Sequence, residues 1–371
     1  MSRIREIDLR LIELPLVRPF RVSFGTSTGK QCVLARVVTD DAEGWGECVA
    51  DDGYPGFSGE WNEGVWTLLH EVLAPSLSDG DVSIDTVEDR LRFVRGNPMA
   101  KATLIDAVID AELRATERSL ASFLGADKQA VVCGVSIGIA DSVDELRAQV
   151  DAHLEQGYRR IKLKIMPGID VERVAAIRSD HPDILLSVDA NAAYSLDDLE
   201  VFRQLDAFDL LMIEQPLHHE DLVQHAALQA EIRTPICLDE SIRSAADAAA
   251  AIQLGSCRIV NIKQGRVGGV LEARRIHDVA AAADIPVWCG GMLETGIGRA
   301  TNLALAAMPN FTLPGDTSAS ARYFAEDLTE PFVLQPDGTM GVPTGPGIGV
   351  VPLPKRLDAC TIRRATISPV G

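Results

Sequence analysis

The 371-residue chain has no run of 18 or more continuous apolar residues, so nothing in it reads as a membrane-spanning helix. It is poor in positive charge. Lys and Arg total 35 against 54 Asp and Glu, and the net charge of −19 disfavours nucleic acid and anionic membranes as partners, since polyanions are repelled. No C-x-x-C pair occurs among its seven cysteines, which are scattered through apolar runs such as VVCGV, ICLDE and VWCGG. They read as small core residues in a reducing cytoplasm rather than a disulfide framework. The N-terminal stretch MSRIREIDLRLIELPLVRPF lacks a secretory apolar core and a small-residue cleavage site, and is read as structure. GRVGG at 265–269 lacks the phosphate-loop spacing and reads as a tight turn into a helix. What remains is a cytoplasmic enzyme acting on a small molecule, of a size for one large and one smaller domain.

Three rhythms follow one another along the chain. Residues 3–47 alternate as strands do (IDLRLIELPL, CVLARVVTD, GWGEC), and residues 62–124 turn helical, through VWTLLHEVLAPSL and ATLIDAVIDAELRATERSLASFL. After Asp127 strand and helix patterns repeat. The strand candidates are VVCGVSIGI, RIKLKI, ILLSVDAN, LLMIEQP, PICLDES, RIVNIKQG, IPVWCGGM and NFTLPGD, with Ala-rich amphipathic segments between them. Eight such units predict an α/β fold with a closed parallel barrel rather than an open doubly wound sheet. The expected organisation is an α+β module over 1–126, the barrel over 127–320, and a segment 321–371 that returns to the first module, because its turns keep apolar residues between them.

Five charges recur in the barrel region at intervals of 25, 25, 25 and 24: Lys164, Asp189, Glu214, Asp239 and Lys263. One strand, one helix and two loops consume about that length, so the array brings these groups to the mouth where the strands end. Asp189, Glu214 and Asp239 fall on consecutive strands. Any one of them alone would serve as a helix cap. Three at equivalent positions, without a His or Cys cluster, suit Mg²⁺, with Mn²⁺ as the other hard ion, better than zinc.

Lys162 and Lys164 share one face of their strand, because side chains alternate with period two. Lys263 ends a strand four places further round a ring of eight, so the two lysine sites face each other across the mouth. Lys162, as a neighbouring cation, is expected to lower the proton affinity of Lys164 enough for it to act as a base. Two opposed bases and a divalent ion suit removal of a proton next to a carboxylate. The proton is then returned from the other face, giving racemisation, or a β-leaving group is expelled.

The K-x-K strand, SVDAN, MIEQPL, CLDES and NIKQGRVGG together resemble the muconate lactonizing enzyme subgroup of the enolase superfamily, over nearly the whole chain. That superfamily uses a Lys or His base with Mg²⁺. RGNPMAKA, GVSIGI, GGMLETGIGRA and LPGDTSASARYF resemble its o-succinylbenzoate synthase/N-succinylamino acid racemase branch. The dipeptide epimerase relatives carry a D-x-D pair that is absent here, where Asp316 is followed by Thr317 and Ser318. The resemblance implies a (β/α)7β barrel with a capping domain built from both termini, and a homo-oligomer. It implies Lys164 and Lys263 as the acid/base pair, Lys162 as their electrostatic partner, and Asp189, Glu214 and Asp239 as Mg²⁺ ligands.

Substrate selection is expected from the cap and the rim. The Gly-rich loops at 20–30 and 51–61 read as a lid, with Phe24, Tyr54 and Phe57 as contacts. Ser136 and Met292 lie at strand ends facing the mouth, with Asn191 and Gly291 beside them in SVDAN and GGMLETGIGRA. His218 and His219 are read as part of a solvated loop. The resulting expectation is dehydration to o-succinylbenzoate in menaquinone biosynthesis, alongside N-succinylamino acid racemisation. The alternatives are the racemase as the main role, another racemase or cycloisomerase of the subgroup, and, last, a barrel that binds a carboxylate without turning it over.

Overall fold

In the computed structural model, which describes residues 2–23, 25–54, 56–78 and 80–368, the alternating N-terminal sequence forms three antiparallel strands. These are β1 (Ser2–Val22), β2 (Gly25–Thr39) and β3 (Glu43–Cys48). On β1, Ile7, Leu9 and Leu11 go to the core, while Asp8 and Arg10 between them bond each other and the C-terminal residues Arg364 and Asp358. The Ala-rich sequence that follows gives the helix α1 (Pro98–Ala115), which packs directly on β3. The approach is so close that a Cβ at Gly44 or Gly46 would stand 2.2 Å from Ala107 O or 2.0 Å from Thr103 O, so GWGEC needs both glycines.

Seven parallel strands follow in consecutive order: β4 (Gly134–Ile137), β5 (Arg160–Lys164), β6 (Leu185–Asp189), β7 (Ile213–Glu214), β8 (Ile236–Leu238), β9 (Ile259–Ile262) and β10 (Val287–Cys289). Their residues are almost all buried, as a sheet covered on both faces requires. Helices alternate with them, among them α2 (Val270–Ala282) and α3 (Gly296–Ala306). Several begin at a side-chain cap, as where Ser142 accepts from Glu145 N and Ser244 from Asp247 N.

The eighth expected strand, NFTLPGD, is only partly formed. Phe311 bridges to Val287 on one side and Gly315 to Cys133 on the other, with Pro314 between them unable to donate. Those bridges, with Gly134 N donating to Gly315 O and Asp316 N to Cys289 O, close the ring between β10 and β4. VVCGVSIGI also differs from a single strand. Ala130–Val132 pairs antiparallel with Thr339–Gly341, and only Gly134 onward enters the barrel.

The last strand, β11 (Thr361–Ile367), pairs antiparallel with β1, so the chain end completes the N-terminal sheet. Two buried carboxylates join this cap to the barrel. Glu47, on β3, accepts from Thr295 N, Thr295 Oγ1 and Gly298 N at the start of α3. Asp106, on α1, accepts from Val270 N at the start of α2. Both contacts fix the cap above one end of the barrel, and that end carries the charged site.

Candidate active site

Strand register brings the spaced charges together. Lys164 pairs with Asp189 and Asp189 with Glu214 across β5, β6 and β7, so three of the five stand level at the barrel mouth. Asp239 follows β8 and Lys263 follows β9. The chain turns sharply beyond the acids. Asn191, Ala192 and Gln215 all have positive φ, at 43°, 60° and 37°. Gln215 ties two of these turns together, its Oε1 accepting from Asp239 N and Ser241 N and its Nε2 donating to Leu217 O and Ser241 Oγ.

Each acid faces a cation. Lys164 Nζ donates to Asp189 Oδ2 and Asn191 Oδ1, both at 2.6 Å. Lys162 Nζ lies 2.8 Å from Glu214, 2.8 Å from Asp316 and 3.3 Å from Asp189. Lys263 Nζ donates to Asp239 Oδ2 at 2.7 Å, and Arg266 bonds the other oxygen of Asp239. Asn261 Nδ2 donates to Glu214 Oε1 at 2.7 Å. Burial opposes the charge on Lys162, but Asp316, Glu214 and Asp189 together hold its proton affinity well above that of an ordinary lysine. Asp189 lies well below the usual carboxylate range. Burial works against this but is outweighed by Lys164 and Lys162. Burial and the neighbouring Asp189 raise Glu214, while burial pulls Arg266 down to about 9.

Three carboxylates are the donor type a divalent ion takes. Asp189, Glu214 and Asp239 are buried, hard oxygen donors on adjacent strands. Behind them Glu240 keeps one carboxylate oxygen without a partner, and burial together with Asp189 pushes it up to about 7. Such crowded carboxylates call for positive charge. As the side chains stand, the lysines and Arg266 supply it, and among the described residues no three His, Cys, Asp or Glu are gathered tightly enough to enclose an ion.

A cavity of about 150 Å³ lies over these groups, between cap and barrel. Lys162, Lys164, Lys263, Ser136, Asn191, Gly291 and Met292 all line it, and Ser136 Oγ is buried without a partner. Phe57 lines it too, its ring centroid 4.5 Å from Lys263 Nζ. Tyr54 is 64% exposed and is not among the lining residues, because its loop turns it outward, while Phe24 lies outside the described residues. Four participants were not picked out from sequence: Arg160, Glu240, Asn261 and Arg266. Asp316, read there only as half of a missing pair, lines the cavity and bonds both Arg160 and Lys162. Its place at the end of the eighth strand segment was the available signal.

Known proteins share this architecture. Residues 6–125 match the mandelate racemase / muconate lactonizing enzyme N-terminal domain family, and residues 145–356 match the enolase C-terminal domain-like family. The N-succinylamino acid racemase of an Amycolatopsis species is 55% identical over 97% of this chain and 98% of its own. The o-succinylbenzoate synthase of Geobacillus kaustophilus is 47% identical over 93% and 92%. A solved enolase superfamily member from Listeria innocua superposes with a TM-score of 0.95 at 40% identity, covering 100% of both chains.

Proposed function

Because the chain belongs to the mandelate racemase / muconate lactonizing enzyme family of the enolase superfamily, we propose that it removes the proton α to the carboxylate of a succinylated acid. The observation that carries this reading is that Lys164 and Lys263, on strands half a ring apart, line one cavity. A carbon held between them offers one face to each. One lysine takes the α-proton while the other, protonated, faces the opposite side. Lys162, held charged by its three carboxylates, adds a fixed positive charge near the substrate carboxylate.

Asp189, Glu214 and Asp239 would hold Mg²⁺, the ion general in this family. When bound, the ion supplies positive charge as the second negative charge develops on the carboxylate. From there the residues permit two outcomes: loss of a β-hydroxyl as water, giving o-succinylbenzoate, or return of a proton from the opposite lysine, giving an inverted N-succinylamino acid. The 55% identity to a racemase favours the second alongside the first.

The test is α-deuterium incorporation in D₂O from each enantiomer of an N-succinylamino acid, run beside an o-succinylbenzoate formation assay. Both enantiomers should exchange, and Lys164→Ala and Lys263→Ala should each abolish racemisation and o-succinylbenzoate formation, each losing exchange from one enantiomer, while the fold survives. Full activity in either variant would exclude the two-lysine mechanism.

A further inference from the structure

We propose that Glu240 is a positioning residue for the Lys164 side of the site, acting through the side-chain amide of Asn191. The inference rests on Lys164 and Lys263 being opposed acid/base groups. Asn191 Oδ1 accepts from Lys164 Nζ at 2.6 Å and Asn191 Nδ2 donates to Glu240 Oε1 at 2.9 Å. The two ends of an amide are alike in shape but opposite in hydrogen bonding. Turned round, it would present donors to an ammonium that has only donors of its own. Glu240 settles that orientation, because its carboxylate oxygen takes the NH₂ end.

The backbone around both residues is fixed. Asn191 sits at φ 43° with its N–H bonded to Asp189 Oδ1, and the loop carrying Glu240 is held on both sides by Gln215 Oε1, at 3.0 Å from Asp239 N and 3.2 Å from Ser241 N.

Proton transfer makes this orientation matter. Asp189 holds Nζ through a carboxylate oxygen at 2.6 Å. An amide oxygen accepts N–H from the lysine with or without its extra proton, and so keeps Nζ in one place through both halves of the transfer. Lys263 is held differently: among the described residues it bonds Asp239 and stands against the Phe57 ring. Loss of Glu240 should therefore disable one face of the site and spare the other.

The experiment measures α-deuterium incorporation from D₂O separately for the two enantiomers of an N-succinylamino acid at saturating Mg²⁺. Lys164→Ala first identifies the enantiomer whose proton Lys164 removes. Glu240→Leu should then slow exchange from that enantiomer by about 10- to 100-fold, the scale set by misplacing a reacting group, and from the other by less than about 3-fold. Glu240→Gln keeps an acceptor for Asn191 and should restore the slowed rate to within about 3-fold.

Equal slowing of both enantiomers, or a Gln variant as impaired as Leu, would overturn the proposal. So would a tenfold loss of Mg²⁺ affinity by calorimetry, which would assign Glu240 to the ion. If Glu240→Leu does not fold, Glu240→Ala carries the same prediction without apolar bulk. Wild-type protein that exchanges neither enantiomer would fail earlier, sinking the two-lysine reading and this inference with it.

Discussion

Asp316 stands between two cations that have little access to water. Arg160 Nη2 donates to one of its oxygens at 2.7 Å, Lys162 Nζ lies 2.8 Å from the other, and both cations are at most 3% exposed. Burial opposes the charge on Asp316, but Arg160 and Lys162 hold its carboxyl far below the usual range. Breaking a buried pair leaves its partner uncompensated, so Asp316→Asn should destabilise the protein by about 3–5 kcal/mol in urea unfolding. A loss below about 1 kcal/mol would mean that Glu214 and Asp189 alone suffice for Lys162. The lysines themselves were legible in sequence, because strand alternation puts Lys162 and Lys164 on one face, and both do line the cavity. The company Lys162 keeps was not. Expected mainly as a cation beside Lys164, it is held by acids from three other strand ends, and residues 27 to 154 positions apart meet only through strand register and barrel closure. The Asn191–Glu240 contact was hidden for the same reason, since it joins the ends of two strands that are not neighbours.

At the scale of elements, the repeat of apolar runs was enough to place seven strands, while the eighth expected segment formed only bridges. Pro314 and Gly315 explain it: one removes a donor, and a Cβ on the other would lie 2.9 Å from Cys289 O. Of the two loops expected to form a lid, 20–30 is the end of the β1–β2 hairpin, with Phe20 paired to Ser27, and 51–61 is irregular. Sequence offered Tyr54 and Phe57 alike, and only the fold of the loop separates them. Asp51 Oδ2 makes that fold by accepting from the N–H groups of Gly56, Phe57 and Ser58, at 2.9, 2.7 and 3.2 Å. Phe57 is thereby set over Lys263. The cavity of about 150 Å³ has Asp51, Asp52 and Phe57 of this loop in its wall, so the loop shapes the space open to a substrate. Asp51→Ala should leave the loop without its internal acceptor and raise KM about tenfold, with kcat changed less than about threefold. Steady-state kinetics together with faster proteolysis within 51–61 would support this, whereas an unchanged KM would remove the loop from substrate capture.

The whole molecule sets a net charge of −19 against a cavity lined by Lys30, Lys162, Lys164 and Lys263, so an anion repelled by the surface at large meets four lysines between cap and barrel. That seam depends on carboxylates from the cap placed at the N-termini of barrel helices, and both are buried. Burial pushes Glu47 up to about 7 against the three hydrogen bonds it accepts, and burial likewise pushes Asp106 up to about 7. Both folded values lie above the ordinary 4.5 and 3.8. The folded state therefore holds protons that the unfolded chain has already released. Stability from these two groups is complete below the ordinary carboxylate values and is lost as pH rises towards 7. Each contributes on the order of 1–3 kcal/mol to that loss. Urea unfolding of metal-free protein should accordingly show wild type losing more stability between pH 5 and pH 7.5 than Glu47→Gln, which cannot ionise, and Asp106→Asn should flatten the same interval independently. The two effects should add in the double variant, since one carboxylate serves α3 and the other α2. A Glu47→Gln protein with the same pH dependence as wild type over this interval would show instead that the three donors keep Glu47 ionised, and that the cap is held to the barrel by a buried charge.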